Sequence, residues 1–407
     1  MDGHPPWANL PGAVLFEIVR RIPCAFERIH MRAVCAAWHQ ALQQFEIQPP
    51  PPLPGILLLR DDRPTFSCIA AASGGGGGDW CTHRVYVPDA YLHARYFGSY
   101  DGSWLFLSIG QHNGHGLFNL RNLQGIGLHE FVPFVLDGRL FGADILTVAA
   151  TLLPCPIVSE SIGAGVFTIA PPPPPPPLNC SRYNFSCWKN GSAAINIIGS
   201  DALLPFPGVE DVIYHDMAFR FLSPDETILW CEATVSLAPD MPEGRVDVVT
   251  EKMEITRLDA DGRCDSKCFV ARYLVESRGR LLMVARLALH PQSPAFAFRV
   301  FQLNEGEEAD EDRYTWEELP ALDGRMLFVG RGCSRSYEAA DYPGLEAGVY
   351  FLDDRSHHIP NIPFQNAHER QYLCSDNGKW SGTPPQIRLY APDPGPSNYS
   401  PPVWLIP

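Results

Sequence analysis

No run of about twenty apolar residues occurs in the sequence, so no helix is expected to span a bilayer. The longest candidate, Ile145 to Leu153, is bounded by Asp144 and Pro154 and is far too short. The opening MDGHPPWANLPG has neither a basic start nor a long apolar segment, so no secretory leader is expected. The 12 cysteines are accordingly read as thiols in a reducing compartment, cytoplasmic and/or nuclear, and the triplets beginning at Asn179, Asn184, Asn190 and Asn398 as unmodified. Basic residues are also scarce. With 31 against 46 acidic residues the net charge is −15, which argues against a nucleic-acid backbone or an anionic membrane as partner.

Catalytic signatures are missing as well. Gly-x-Ser-x-Gly, His-Glu-x-x-His and the protein-kinase set do not occur. The glycine run at 73–78 is followed by Asp79-Trp80-Cys81 rather than by the Lys-Ser/Thr of a phosphate loop, and reads as a turn tip. The pairs Cys264/Cys268 and Cys180/Cys187 lack a third and fourth ligand at finger spacing, so no metal and no cofactor are expected. His112, His115, His357 and His358 fall in no ligand motif and are expected in exposed loops. No catalytic residue is assigned, and the chain reads as a non-enzyme.

What the sequence does contain begins at Trp7 to Leu42, two or three short amphipathic helices. Leu10-Pro11 cues the first, since proline suits a first turn whose N–H groups lack partners. Val14, Leu15, Ile18, Val19 and Ile22 recur at three- and four-residue spacing up to Pro23, one apolar face. A second stripe runs through Ile29, Ala33, Val34, Ala37, Trp38 and Leu42. A segment this small cannot offset its own chain entropy and needs something to pack against. The leading aromatic, Leu-Pro, the spaced aliphatics and Val34-Cys35-Ala36-Ala37-Trp38 resemble the F-box. That resemblance implies docking on the adaptor subunit of a cullin-based ubiquitin ligase through Leu10, Pro11, Leu15, Ile18, Val34, Cys35 and Trp38. The competing reading is a helical cap whose apolar residues all face its own domain.

Beyond Gln48-Pro-Pro-Pro-Pro-Leu-Pro54, which cannot continue a helix, helical periodicity disappears. Short apolar runs broken by turn residues take over: Ile56–Leu59, Thr65–Ala70, Arg84–Val87, Trp104–Ile109, Phe131–Leu136, Ile195–Ile198, Thr227–Val235, Leu281–Leu287, Phe296–Leu303, Met326–Val329 and Gly348–Leu352. With 40 prolines and 34 glycines this predicts an all-β domain, a sandwich, barrel or propeller. A repeat favours the propeller. Arg95–Leu107 aligns with Arg272–Val284, and Phe219–Leu229 is a looser copy; the offset of the first two suits about four units of ~44 residues. Trp80, Trp104, Trp188, Trp230 and Trp316 are expected in blade cores, Tyr342-Pro343-Gly344 in a turn, and the acidic run 304–312 at a hairpin tip.

The region after Pro54 resembles plant F-box proteins with a KIB-like β-propeller. The residues that carry this are Arg95–Leu107, Leu117–Leu120 with Leu128, Arg272–Val284, Phe298–Leu303, Trp316–Leu319, Leu322–Arg331 and Asp341–Asp354. The implied architecture is mainly β with a small N-terminal α module: an F-box at 1–47, a proline-rich linker at 48–54, and a propeller-like domain at 55–407. The glycine run 73–78 and the proline run 171–177 would be surface loops of that domain. The resemblance further implies the substrate-recognition subunit of a Skp/cullin/F-box ubiquitin ligase, which binds a Skp-type adaptor, through it a cullin, and an unknown target protein. The alternatives are a ligase-independent propeller scaffold and a propeller enzyme.

Overall fold

The computed structural model describes residues 7–22, 24–44, 51–60, 63–69, 82–128, 131–136, 139–154, 161–169, 184–190, 195–198, 208–238, 241–258, 268–306, 314–359, 361–382, 384–389 and 395–407. Pro23, the glycine run, Trp80, Cys180, the proline run, Cys264 and positions 307–312 of the acidic run lie outside these residues.

Three helices lead the chain: α1 (Gly12–Arg20), α2 (Ala25–Ala33) and α3 (Ala36–Gln43). Strands follow. The first set is β1 (Gly55–Arg60), β2 (Arg63–Cys68) and β3 (Thr82–Arg84); the second is β4 (Arg95–Tyr100), β5 (Trp104–Ser108), β6 (His115–Asn119) and β7 (Gly125–Gly127). The third holds β8 (Phe131–Leu136), β9 (Arg139–Leu152), β10 (Ile162–Ile169), β11 (Asn184–Lys189) and β12 (Ile195–Ile198). The fourth holds β13 (Asp211–His215), β14 (Ala218–Leu222), β15 (Ile228–Ala238) and β16 (Met241–Met253). The fifth holds β17 (Thr256–Leu258), β18 (Phe269–Ser277), β19 (Arg280–Ala288), β20 (Ala295–Glu305) and β21 (Tyr314–Glu318). The sixth holds β22 (Arg325–Val329), β23 (Arg335–Glu338), β24 (Gly348–Phe351), β25 (Gly378–Gly382) and β26 (Pro385–Leu389). The final strand, β27 (Val403–Leu405), returns to the first set and pairs antiparallel with β1, Gly55 opposite Leu405.

Each set is one sheet, and each pair of neighbouring sheets shares an apolar core. Leu57, Tyr96, Leu107 and Phe118 join the first and second. Phe106, Leu152 and Trp188 join the second and third; Phe185, Phe219 and Phe221 the third and fourth. Met283, Phe301 and Trp316 lie between the fourth and fifth, Val284, Phe298 and Phe351 between the fifth and sixth. Phe328, Tyr350, Trp404 and Ile56 join the sixth back to the first. Six sheets arranged in a closed ring are the blades of a six-bladed propeller. A blade covered on both faces needs apolar residues on both, so β5, β6 and β22 are buried along their full length.

The strand expectations hold along most of the chain, with three corrections. The strand expected over Arg84–Val87 ends at Arg84, and Val85 and Val87 are buried outside any strand. The hairpins β4–β5 and β18–β19 are the two copies of the repeat, but they lie three blades apart, not four. The unit is longer than 44 residues because strands reach 14 residues, as in β9. The looser copy, β14–β15, forms the second and third strands of its blade rather than the first two.

Candidate functional site: an apolar helical module and the propeller axis

Pro11 caps α1 with its carbonyl, which accepts the N–H groups of Val14 and Leu15 at 2.9 and 3.1 Å. Cys24 caps α2, its sulfur accepting the Glu27 N–H, and Cys35 caps α3 by accepting the Trp38 N–H at 3.5 Å. The second apolar stripe is thus cut at Val34-Cys35 into two helices. Leu15, Val19, Met31 and Leu42 form a small core, with Leu10, Ile22, Trp38 and Ala41 around it. The Trp38 indole N–H donates to the Trp7 carbonyl at 2.8 Å, and buried Arg28 donates through Nε to the Ile22 carbonyl, closing the α1–α2 turn.

The seven residues expected to dock divide accordingly. Leu15, only 1% exposed, lies inside the helices, where it packs with Val19, Met31 and Leu42. Ile18 and Val34 are 38% and 58% exposed. Pro11 is exposed, and Leu10, Cys35 and Trp38 are half-buried. Trp7, Val14 and Ile29 are also exposed. Val14, which faces out with Ile18 four residues on, belonged to a stripe expected to be buried; the helical period marks a face but not which neighbour covers it.

On the axis of the ring, Arg95, Tyr273, Arg331, Asp354, His357 and Trp404 help to line a cavity of about 110 Å³. The buried carboxylates Asp354, which lines it, and Asp211, which does not, are both committed. Asp354 accepts from Arg286 Nη1 at 2.9 Å and from the Tyr273 hydroxyl, with Arg331 Nη2 3.5 Å away. Burial pushes its carboxyl up, but Arg286 and Arg331 hold it below the usual range. Asp211 accepts three backbone N–H groups, from Val212, Leu274 and Gly332 at 2.8, 2.7 and 2.6 Å, and so ties the fourth, fifth and sixth blades. Burial still lifts it to about 7. The histidines expected in exposed loops are displaced inward. His115 is buried in β6 and accepts the Thr147 N–H at 3.2 Å, and burial drives the His357 imidazole well below its ordinary value. Neither local sequence nor spacing carries a signal for these contacts, which join blades far apart in the chain. Trp104, Trp188 and Trp316 are buried as expected, whereas Trp230 is half-buried.

This geometry is that of a β-propeller with a short helical module carrying an uncovered apolar face. Within that class, the KIB1-4 beta-propeller family matches residues 78–373, and the chain belongs to it. A putative F-box/kelch-repeat protein of Arabidopsis thaliana is similar: 22% identical over 361 residues, spanning 85% of this chain and 87% of that protein. Among solved structures, a glycoside hydrolase family 43 β-1,3-galactosidase bound to galactodeoxynojirimycin overlays 84% of this chain and 91% of its own, at 10% identity and a TM-score of 0.27. A likeness that loose bears on neither fold nor chemistry. No helix among the described residues is long and apolar enough to cross a membrane.

Proposed function

We propose that this chain is the non-catalytic substrate receptor of a Skp/cullin/F-box ubiquitin ligase. Residues 1–47 act as the F-box, 48–54 as the linker and 55–407 as the propeller that binds a target. The observation that carries this reading is the division of labour in the helices. Leu15, Val19, Met31 and Leu42 satisfy the module's own core, which leaves Ile18 and Val34 exposed for a Skp-type adaptor. Leu10, Pro11, Cys35 and Trp38 shape that face, and the F-box/kelch relative supports the assignment. Held this way, a target's lysines sit at high effective concentration near the ubiquitin-carrying enzyme, and no chemistry is asked of this chain.

Burying an Ile or Val side chain is worth about 1.5–3 kcal/mol, and each 1.4 kcal/mol is about tenfold in affinity. Ile18→Asp combined with Val34→Asp is therefore expected to abolish co-purification with the adaptor while the thermal transition stays in place. Undiminished capture by this double variant, beside an equally competent Leu10→Ala/Pro11→Ala protein, overturns the receptor reading. The result would favour a ligase-independent scaffold, which the packing of Ile22, Cys24 and Phe26 against the first blade also suits.

A further inference from the structure

Where the helical module meets the first blade, three soft donors converge from three elements. Cys24 is the N-cap of α2, Cys68 is the last residue of β2, and His83 is the middle residue of β3. The Cys24 and Cys68 sulfurs are 2.8 Å apart, and His83 Nε2 is 3.2 Å from Cys24 Sγ. All three donor atoms lie within 4.8 Å of one another. The cysteines are only 6% and 4% exposed. Phe26 stacks on the His83 ring at 5.1 Å and lies 4.9 Å from Phe66, which walls the group with apolar surface. On the more open side, Glu27 Oε1 is 3.8 Å from His83 Nε2.

We propose that Cys24 Sγ, Cys68 Sγ and His83 Nε2 bind one zinc-class divalent cation, with the Glu27 carboxylate or a water completing a tetrahedron. Two thiolates and an imidazole form the borderline-soft donor set that selects such a cation over calcium or magnesium. Tetrahedral bonds of about 2.3 Å to sulfur hold two sulfurs about 3.8 Å apart, so loading parts Cys24 and Cys68 by about 1 Å. Binding two thiols as thiolates releases their two protons to solvent. The cation would staple the helices to the first blade and fix their orientation, whatever protein the exposed face engages.

The test uses the full chain, purified without chelator. Elemental analysis is expected to find zinc in a ratio of about one per chain, and cobalt added to the stripped protein to give thiolate-to-metal charge-transfer and tetrahedral d–d bands. Cys68→Ser and His83→Gln should each weaken cobalt binding about tenfold or more, whereas Cys268→Ser, outside the cluster, should leave it unchanged. The wild-type cobalt spectrum needs no variant and stands even if one fails to fold. Absence of both zinc and the charge-transfer band overturns the proposal, as does unaltered binding in Cys68→Ser and His83→Gln. So does peptide mapping that finds Cys24 and Cys68 joined as a disulfide in freshly lysed cells, the product of a two-electron oxidant such as peroxide.

Discussion

Burial decides what individual side chains do, and sequence reports burial least well at polar residues. His358 shows this. Written beside His357 after two aspartates, it reads as a loop residue, yet it sits edge-on to Phe269 at 4.6 Å, and burial, then Arg331, lowers its imidazole from 6.5 to about 4. A histidine depressed on folding contributes stability above its unfolded value and loses it as pH falls towards its folded one, since the unfolded chain takes up the proton first. Stability is therefore expected to decline between pH 6.5 and about 4. Urea midpoints across that window should fall less for His358→Gln than for the wild type. Apolar residues were easier to read: Trp104, Trp188 and Trp316 needed only their bulk to be placed in blade cores.

Strands and turns were legible because their signals are local. Turn glycines mark left-handed backbone: Arg278-Gly279 in the β18–β19 hairpin and Asp323-Gly324 between the fifth and sixth blades have φ near +50° to +80° at both residues. What a turn costs to alter depends on its surroundings. At Gly279, φ +70°, a Cβ would meet nothing within 4 Å, so Gly279→Ala should cost about 1–2 kcal/mol from conformation alone. At Gly332, φ +71°, a Cβ would come 2.5 Å from the Ala150 carbonyl oxygen and 2.7 Å from its nitrogen, backbone atoms of another blade. Gly332→Ala is therefore expected to destabilise several times more, as denaturant titration of the two variants would show. The helices were less legible as elements. Their period predicted the apolar stripes, but the cut at Val34-Cys35 and the outward turn of Val14 and Ile18 follow from how three short helices close on one another.

At the level of the whole ring, the repeat announced a propeller but miscounted its spacing, because strands as long as β9 lengthen the unit. Closure was invisible, since it joins residues more than three hundred positions apart. Trp404, 1% exposed, donates its indole N–H to the Val329 carbonyl at 2.8 Å, while Leu405 and Val403 pair with Gly55 and Leu57. A chain ending at residue 401 forfeits the burial of Val403, Trp404, Leu405 and Ile406, at about 1.5–3 kcal/mol or more each. That sum rivals the whole stability of a domain, about 5–15 kcal/mol. The shortened protein is expected to lose its cooperative melting transition and near-ultraviolet circular dichroism.

The pairing of β1 with β27 also sets a timetable. On the ribosome β1 emerges some 340 residues before its partner, which at about 5–20 residues per second is a wait of roughly 20–70 s. Throughout that interval the sheet against which the helices rest has one open edge, so the helices find a finished seat only when β27 has been made.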